Sequence, residues 1–566
     1  MKPKVYKAKY TFSEIQESLL KDQYKQIGNT KNFKDTKIKI SLFFDLHKKS
    51  IPDWVEELLL FFNSENIFET EIPNQYNAIM VVQTEKSTYL LPKGHAFWVA
   101  EKLANLDFGL DFAEKTIQSK DILLKSVSYI QRNKMRGITN YKKDQNEFPQ
   151  ASESYFYVSG KPEMENIFGS SVECGTGITF AENYNLGDKV RVGKFCQLFN
   201  EIDIALHLKG KKSTIPRLHK VSKKDEKYNK LNTTLLNDLK ADSNKSQILL
   251  DVNRIQLIGN GISILENEKR LSIYISGEKR KKEKDIEISG TEIIEYIKKN
   301  DEIISSTEQI KFALYNEEGT CIKKEIPFSQ LVYCEVELDG TLYVLDNGNW
   351  GFFNDRFYEL LEEKLLEIDE KVVFENDFSI EYDSYGTGEF SGEGGYIEEI
   401  SKRVHLIKLH KRNLSVSGTT IEVADIYDKK KDELFAIKRG TGTSLAMYSF
   451  EQSLLSVQIL ANKKEFKVEE ELLKYNNRKK YKDAKKYPNI RENNVANITA
   501  CKNASVLWLV DNKKKYIFDG IISQKFRLKD FKSIMLKLKI IDWYYFTKDH
   551  GYNPKLYFAI DKPRKK

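Results

Sequence analysis

Thr420-Ile421-Glu422-Val423-Ala424-Asp425-Ile426 and Leu434-Phe435-Ala436-Ile437-Lys438 are the stretches on which the reading of this chain turns. Both are short, apolar and rich in β-branched or aromatic residues, the pattern of buried strands. Working outward, Leu406 to Leu409 (LIKL) is a strand before them, with a turn at Ser417-Gly418, and Tyr396 to Val404 has helical spacing. Ser384 to Gly395, rich in glycine, serine and acids, reads as a loop. Downstream, Ser444 to Leu460 is a helix with Ser444 as a candidate N-cap, and Ala504 to Val510 (ASVLWLV) is a late strand. The order is α-β-β-β-α-β.

These strands carry charge where a buried strand ordinarily does not. Phosphodiester hydrolysis needs a hard cation held by carboxylates and a lysine to orient or activate water. Glu422 and Asp425 on the second strand and Lys438 at the end of the third supply those groups, with Mg2+ the expected cation. A further carboxylate comes from Glu393, before the first helix, or Glu398, within it. Glu422 and Asp425 are three apart, so an ideal strand points them to opposite faces, and only a bulge or a strand end brings them together. Cross-strand acid–lysine ion pairs are the structural alternative. His410 reads as a solvent-facing residue ending the first strand; Glu451 and Gln452 read as surface residues of the second helix, with support of an active site by a helix-borne Gln as the alternative.

Charge is distributed unevenly. Residues 401–566 hold 37 Lys and Arg against 18 Asp and Glu, whereas residues 1–400 hold 54 against 65. A basic segment attracts phosphate backbones by releasing counterions, and an acidic remainder restricts where they sit. The expected partner is nucleic acid, with DNA favoured. Lys411, Arg412 and Arg439, and Arg478, Lys479, Lys480 and Lys482 within the tyrosine-bearing run RKKYKDAKKY, are the candidate contacts.

The rest of the chain bounds the answer. Its 566 residues divide by pattern into 1–130, 131–300, a connecting hairpin and helix region 301–390, and the basic domain 391–566. The fold class is mixed α/β, a multidomain α+β chain. Strands are expected at Ile38–Phe44, Ala78–Val82, Ser87–Leu91, Tyr155–Val158 and Ser246–Leu250. Helices are expected after Pro52-Asp53-Trp54, around His95–Leu106 and over Asn354–Ile368, and a hairpin at Asp339-Gly340. Glu278 to Asp285 reads as a charged loop or linker. No apolar run approaches the roughly 20 residues of a membrane span. The N-terminus lacks a signal-peptide core, so the expected location is cytoplasmic. Five scattered cysteines without CxxC spacing, and histidines without HExxH, disfavour zinc chemistry. The glycine run after Ser391 lacks the GKS/T ending of a phosphate loop.

The α-β-β-β-α-β order, with Asp425 and Lys438 in place, resembles the restriction-endonuclease-like core of PD-(D/E)xK nucleases, although Ala436 stands where that pattern has an acid two residues before its lysine. Over most of its length the chain also resembles a bacterial family described as "sporadically distributed protein". The residues that carry this are Pro52-Asp53-Trp54, Phe108-Gly109-Leu110, Leu338-Asp339-Gly340 through Tyr343 to Trp350, Glu393-Gly394-Gly395-Tyr396, Ile421 to Asp425, and Ala436-Ile437-Lys438. The departures are Ile397 for Asn, Ala424 for Cys, Ala436 for His and His410 for an acid on the first strand. Of the family's Ser-Leu-Ser-His-Leu-Phe helix start, only Ser444-Leu445 survives, followed by Ala446-Met447. The resemblance implies anti-phage defence, with a phage protein or a partner defence protein sensed by the N-terminal part. A non-catalytic DNA- or RNA-binding effector and a regulatory scaffold are the competing readings. A homo-oligomer is left open.

Overall fold

Ala504–Val510 is apolar at nearly every position, so it requires cover on both faces. In the computed structural model all seven residues are buried. The structure describes residues 2–45, 77–129, 134–139, 153–163, 171–184, 186, 189–223, 225–241, 247–250, 270–277, 284–286, 290–315, 319–346, 348–384, 392–416, 419–440, 443–476 and 489–564. The Pro52-Asp53-Trp54 helix start, most of the Glu278–Asp285 run, and Arg478, Lys479, Lys480 and Lys482 lie outside the described residues. The chain is mixed α and β and divides into two units, Met1–Lys220 with Phe353–Phe357, and Val221–Phe352 with Tyr358–Lys566. The division falls inside the segment 131–300. Among the described residues no helix is long and apolar enough to cross a membrane.

Around Ala504–Val510 the second unit carries, in chain order, β1 (Val372–Phe374), α1 (Glu393–Ile400), β2 (Leu406–Lys408), β3 (Asn413–Val416), β4 (Thr419–Glu422), β5 (Ile426–Asp428), β6 (Glu433–Arg439), α2 (Thr443–Ala461), β7 (Ala504–Val510), α3 (Ile534–Asp549) and β8 (Leu556–Ile560). One sheet runs β1-β8-β7-β6-β5-β2. The pairs β2/β5 and β5/β6 are antiparallel, whereas β6, β7, β8 and β1 run parallel. Parallel strands need crossover connections, and α2 lies in the one between β6 and β7.

The sheet is covered on both faces because β6 alternates two apolar sets. Phe435 and Ile437 pack with Tyr396, Ile397 and Ile400 of α1. Leu434 packs with Val457, Ile459 and Leu460 of α2. Phe450 of α2 meets Trp508 of β7 and Trp543 of α3, with centroids 6.4 and 5.3 Å apart. The result is a helix, sheet, helix layering in which β7 is buried from both sides.

Three boundaries differ from the sequence reading. Helix α1 begins at Glu393, so this acid sits in the first turn and not before the helix, and the end of the expected Ser384–Gly395 loop is helical. Helix α2 begins at Thr443, which places Ser444 inside the first turn and not at the cap. The expected strand Thr420–Ile426 is two strands: Glu422 pairs with Asn413 in the β3/β4 hairpin, whereas Ile426 pairs with Lys408 and Phe435 in the main sheet. The chain turns a corner at Val423-Ala424-Asp425, all three buried.

Elsewhere in this unit the Asp339-Gly340 hairpin joins Val332–Leu338 to Thr341–Asp346. Both turn residues are left-handed, with φ of 51° and 75°, which the Asp-Gly pair accommodates. The first unit is built on antiparallel strands that include Ile38–Asp45, Asn77–Gln83, Thr88–Lys93 and Glu153–Gly160. The helix expected around His95–Leu106 is Phe97–Leu103, and a second helix, Phe108–Thr116, follows it. The second presents Asp111 and Glu114 to the buried Arg217, whose Nη2 lies 2.5 and 3.0 Å from them. Lys211 reaches Glu114 at 2.7 Å and His219 reaches Asp107 at 3.1 Å. The Ile215 amide donates to Glu114 Oε1.

Candidate active site

The corner at 423–425 decides the site. Because β4 ends at Glu422 and β5 begins at Ile426, Glu422 and Asp425 are freed from strand alternation and both face His410. The backbone amides of Leu409 and His410 donate to the Asp425 carbonyl at 2.8 and 2.9 Å, which docks the end of β2 on the corner. His410 Nδ1 then lies 2.6 Å from Asp425 Oδ1 and 3.6 Å from Glu422 Oε2.

Each carboxylate is fixed from behind. The Ile437 amide of β6 donates to Asp425 Oδ2 at 2.7 Å. The Lys411 amide donates to Glu422 Oε1 at 2.9 Å, aimed by a left-handed Lys411 with φ of 63°. From α2, Gln452 Nε2 donates to Glu422 Oε2 at 3.0 Å, and Ser456 Oγ donates to the Glu422 carbonyl at 3.0 Å. Gln452 and Ser456 are four apart and therefore share a helix face.

The lysine and the third acid join this group. Lys438 Nζ lies 3.2 Å from Glu393 Oε1. Burial pushes the Glu393 carboxyl above its usual range; Lys438 opposes this, and the charges of Asp425 and His410 also act on it. Glu393, Asp425, His410 and Lys438 thus form one electrostatic neighbourhood. Asp425 is 1% exposed, and burial raises its pKa against the pull of His410 and the Ile437 amide. For His410 burial opposes protonation, but hydrogen bonds and charges from Asp425 and Glu422 outweigh it and raise its pKa to about 9.

The structure therefore brings Glu393, Glu422, Asp425 and Lys438 together. His410 is not solvent-facing, and Gln452 is not an idle surface residue. Both were missed because their partners lie across the corner that the sequence hides. The signal available for His410 was its place at the end of a strand beside the one carrying Asp425. Glu398 is drawn off to Lys408. Ala436 is buried and brings no carboxylate.

The basic candidates need correction. Arg412 is 1% exposed and lies over the Tyr475 ring with 5.7 Å to its centroid, so it is not a surface phosphate contact. Arg439 is held by Asp561 at 2.6 Å and lies over Tyr382, an internal ion pair. Lys411 contributes its backbone amide to the site.

Chemically, His410 Nδ1 and one oxygen each of Glu422 and Asp425 lie within 4.8 Å of one another, a grouping able to hold a cation. Two anchored carboxylates with a lysine and a third acid alongside fit a hard divalent ion. Their outer hydrogen bonds supply the orientation that such ligands require. Comparison with the curated proteins and with the solved structures finds no match. Residues 3–518 match the model of DUF6119, a family of unknown function. That match spans most of the chain, which therefore belongs to the DUF6119 family.

Proposed function

We propose that the C-terminal part of this protein is a metal-dependent nuclease on a restriction-endonuclease-like core, cleaving nucleic acid with DNA favoured. One observation carries the reading. Glu422 and Asp425 meet at His410, Glu393 of α1 pairs with the lysine at the end of β6, and the neighbouring Ile437 amide anchors Asp425, although these residues are far apart in sequence. The sheet order and the two-sided helix cover support the core assignment.

A divalent cation held by Asp425 and Glu422, with Glu393 beside them, would neutralise phosphate charge and make bound water more acidic. Mg2+ is the expected ion. Lys438, steadied by Glu393 Oε1, donates a hydrogen bond to the attacking water or to a non-bridging phosphate oxygen. As the water oxygen bonds phosphorus the P–O ester bond breaks, the water's proton passes to solvent, and the departing ester oxygen takes a proton from solvent. The Ile437 and Lys411 amides keep both carboxylates in place while charge shifts. The sequence resemblance would put such an activity in anti-phage defence.

The test uses the purified full-length chain with plasmid DNA, single-stranded DNA and RNA, each with Mg2+ or with EDTA. Cleavage that needs the cation and is lost in Asp425→Ala and Lys438→Ala supports the reading. Product that persists in EDTA, or in both variants, overturns it. Ala436, where an acid is expected, favours a second reading: a binder without chemistry. That reading expects salt-sensitive retardation of DNA in EDTA and no product with any cation.

A further inference from the structure

We infer that His410 is a nitrogen ligand to the cation, making this a mixed imidazole–carboxylate centre that prefers a first-row transition-metal dication to Mg2+. The inference rests on the metal site of the proposed nuclease and goes beyond its carboxylate set.

A structural ion pair would need only His410 and Asp425. Here a second carboxylate oxygen, Glu422 Oε2, faces the same Nδ1 from 3.6 Å. One N–H cannot point at both oxygens. The three atoms lie within 4.8 Å of one another, close enough to ligate one ion together. They come from three segments: the end of β2, the end of β4 and the corner before β5.

The outer contacts are independent support. Asp425 Oδ2 is fixed by the Ile437 amide and Glu422 Oε1 by the Lys411 amide, while Asp425 Oδ1 and Glu422 Oε2 are the oxygens nearest His410 Nδ1. Gln452 orients Glu422 from the helix side. Hydrogen bonds behind the carboxylates supply the orientation that metal ligands require. The nitrogen decides the class of ion. Imidazole suits transition-metal dications, whereas Mg2+ prefers an all-oxygen shell and keeps several waters. With Ala436 bringing no carboxylate, His410 supplies a third donor of another kind. On binding, Nδ1 gives its proton to solvent and its lone pair to the ion.

The test reads the ion directly. Mn2+ is titrated into the full-length protein, binding is followed by electron paramagnetic resonance, and the bound ion is probed by electron spin-echo envelope modulation. A directly coordinated 14N signal is expected. In His410→Ala that signal should vanish and Mn2+ affinity should fall roughly tenfold or more, with Mg2+ affinity changing by less than about threefold. His410→Asp should bind both ions without the nitrogen signal. Mn2+ bound with no nitrogen coupling in the unsubstituted protein, or no Mn2+ bound there, overturns the inference without depending on any variant's folding. Cleavage supported by a cation that shows no nitrogen coupling sinks this inference and leaves the nuclease standing. A clear nitrogen signal with no cleavage of any substrate supports this inference and defeats the nuclease.

Discussion

Two places in this molecule gather three carboxylates around basic groups, and they do so to opposite ends. Around Arg217, the acids Asp107, Asp111 and Glu114 meet a guanidinium, with Lys211 and His219 at the margin. Around His410, the acids Asp425, Glu422 and Glu393 meet an imidazole and the Lys438 ammonium. A guanidinium is a permanent cation with a fixed fork of donors, so it closes its cluster for good. An imidazole gives up its proton, and the atom that held it becomes a ligand. The first cluster ties a segment to a helix. The second, on the proposed reading, exchanges a proton for a metal ion.

The largest expected effect breaks the first cluster. Arg217→Met leaves a buried Glu114 facing two other acids, with Lys211 and the Ile215 amide on Glu114 and His219 on Asp107 in compensation. The loss is about 3–5 kcal/mol of stability, read as a lower urea midpoint for the full chain. A change below about 1 kcal/mol would show that the guanidinium is not the closing element. Next in size is the active-site contrast. Asp425→Asn and Lys438→Ala should each slow cleavage by roughly 10²–10³-fold, while the melting temperature moves by no more than a few degrees. Removing the Asp425 carboxylate relieves its desolvation and so offsets part of the lost His410 pairing, and Asp425→Asn should lose far more function than fold. Comparable collapse of stability and cleavage would return Asp425 to a structural role.

Legibility in the sequence divides along the same line. Ala504–Val510 declared itself because its composition has one physical solution, a strand covered on both sides. The Asp339-Gly340 hairpin did so because the pair fits two left-handed positions. Asp425 and Lys438 were found because an acid and a lysine at the ends of buried strands demand an account, and Glu393 because an acid beside the first helix could join them. What could not be read was the break in Thr420–Ile426. That run satisfies strand propensity throughout, and only tertiary pairing of Glu422 with Asn413 and of Ile426 with Phe435 splits it. His410 and Gln452 depend on that break. Arg412 failed in the opposite direction: beside Lys411 it reads as surface charge, yet its guanidinium is buried near Tyr475.

A smaller effect concerns the exchangeable cation. His410 has its pKa raised from the ordinary 6.5 to about 9 by Asp425 and Glu422, against the cost of burial. A histidine raised in the folded state stabilises fully below the ordinary value, and that contribution fades as pH rises through the folded one. Without added metal, stability should decline on the order of 1–3 kcal/mol between about pH 6.5 and 9. His410→Gln should flatten that part of the profile in urea titrations at stepped pH. An unchanged slope in the variant would assign the titration to other groups and weaken the contrast with Arg217.

The smallest effect separates support from ligation. Gln452 touches no cation or phosphate in the proposed scheme; it holds Glu422 Oε2 at 3.0 Å and is a positioning residue. Gln452→Ala removes one hydrogen bond at a partly exposed carboxylate, about 1 kcal/mol, and should weaken Mn2+ binding by roughly three- to tenfold. The nitrogen modulation from His410 should persist, because the imidazole and Asp425 are anchored by other groups. Gln452→Glu sets a like charge against Glu422 and should weaken binding further unless the new carboxylate joins the ion. Gln452→Ala with unaltered affinity would mean that the Lys411 amide alone fixes Glu422. The helix contact would then resemble the Arg217 cluster, serving the fold and not the ion.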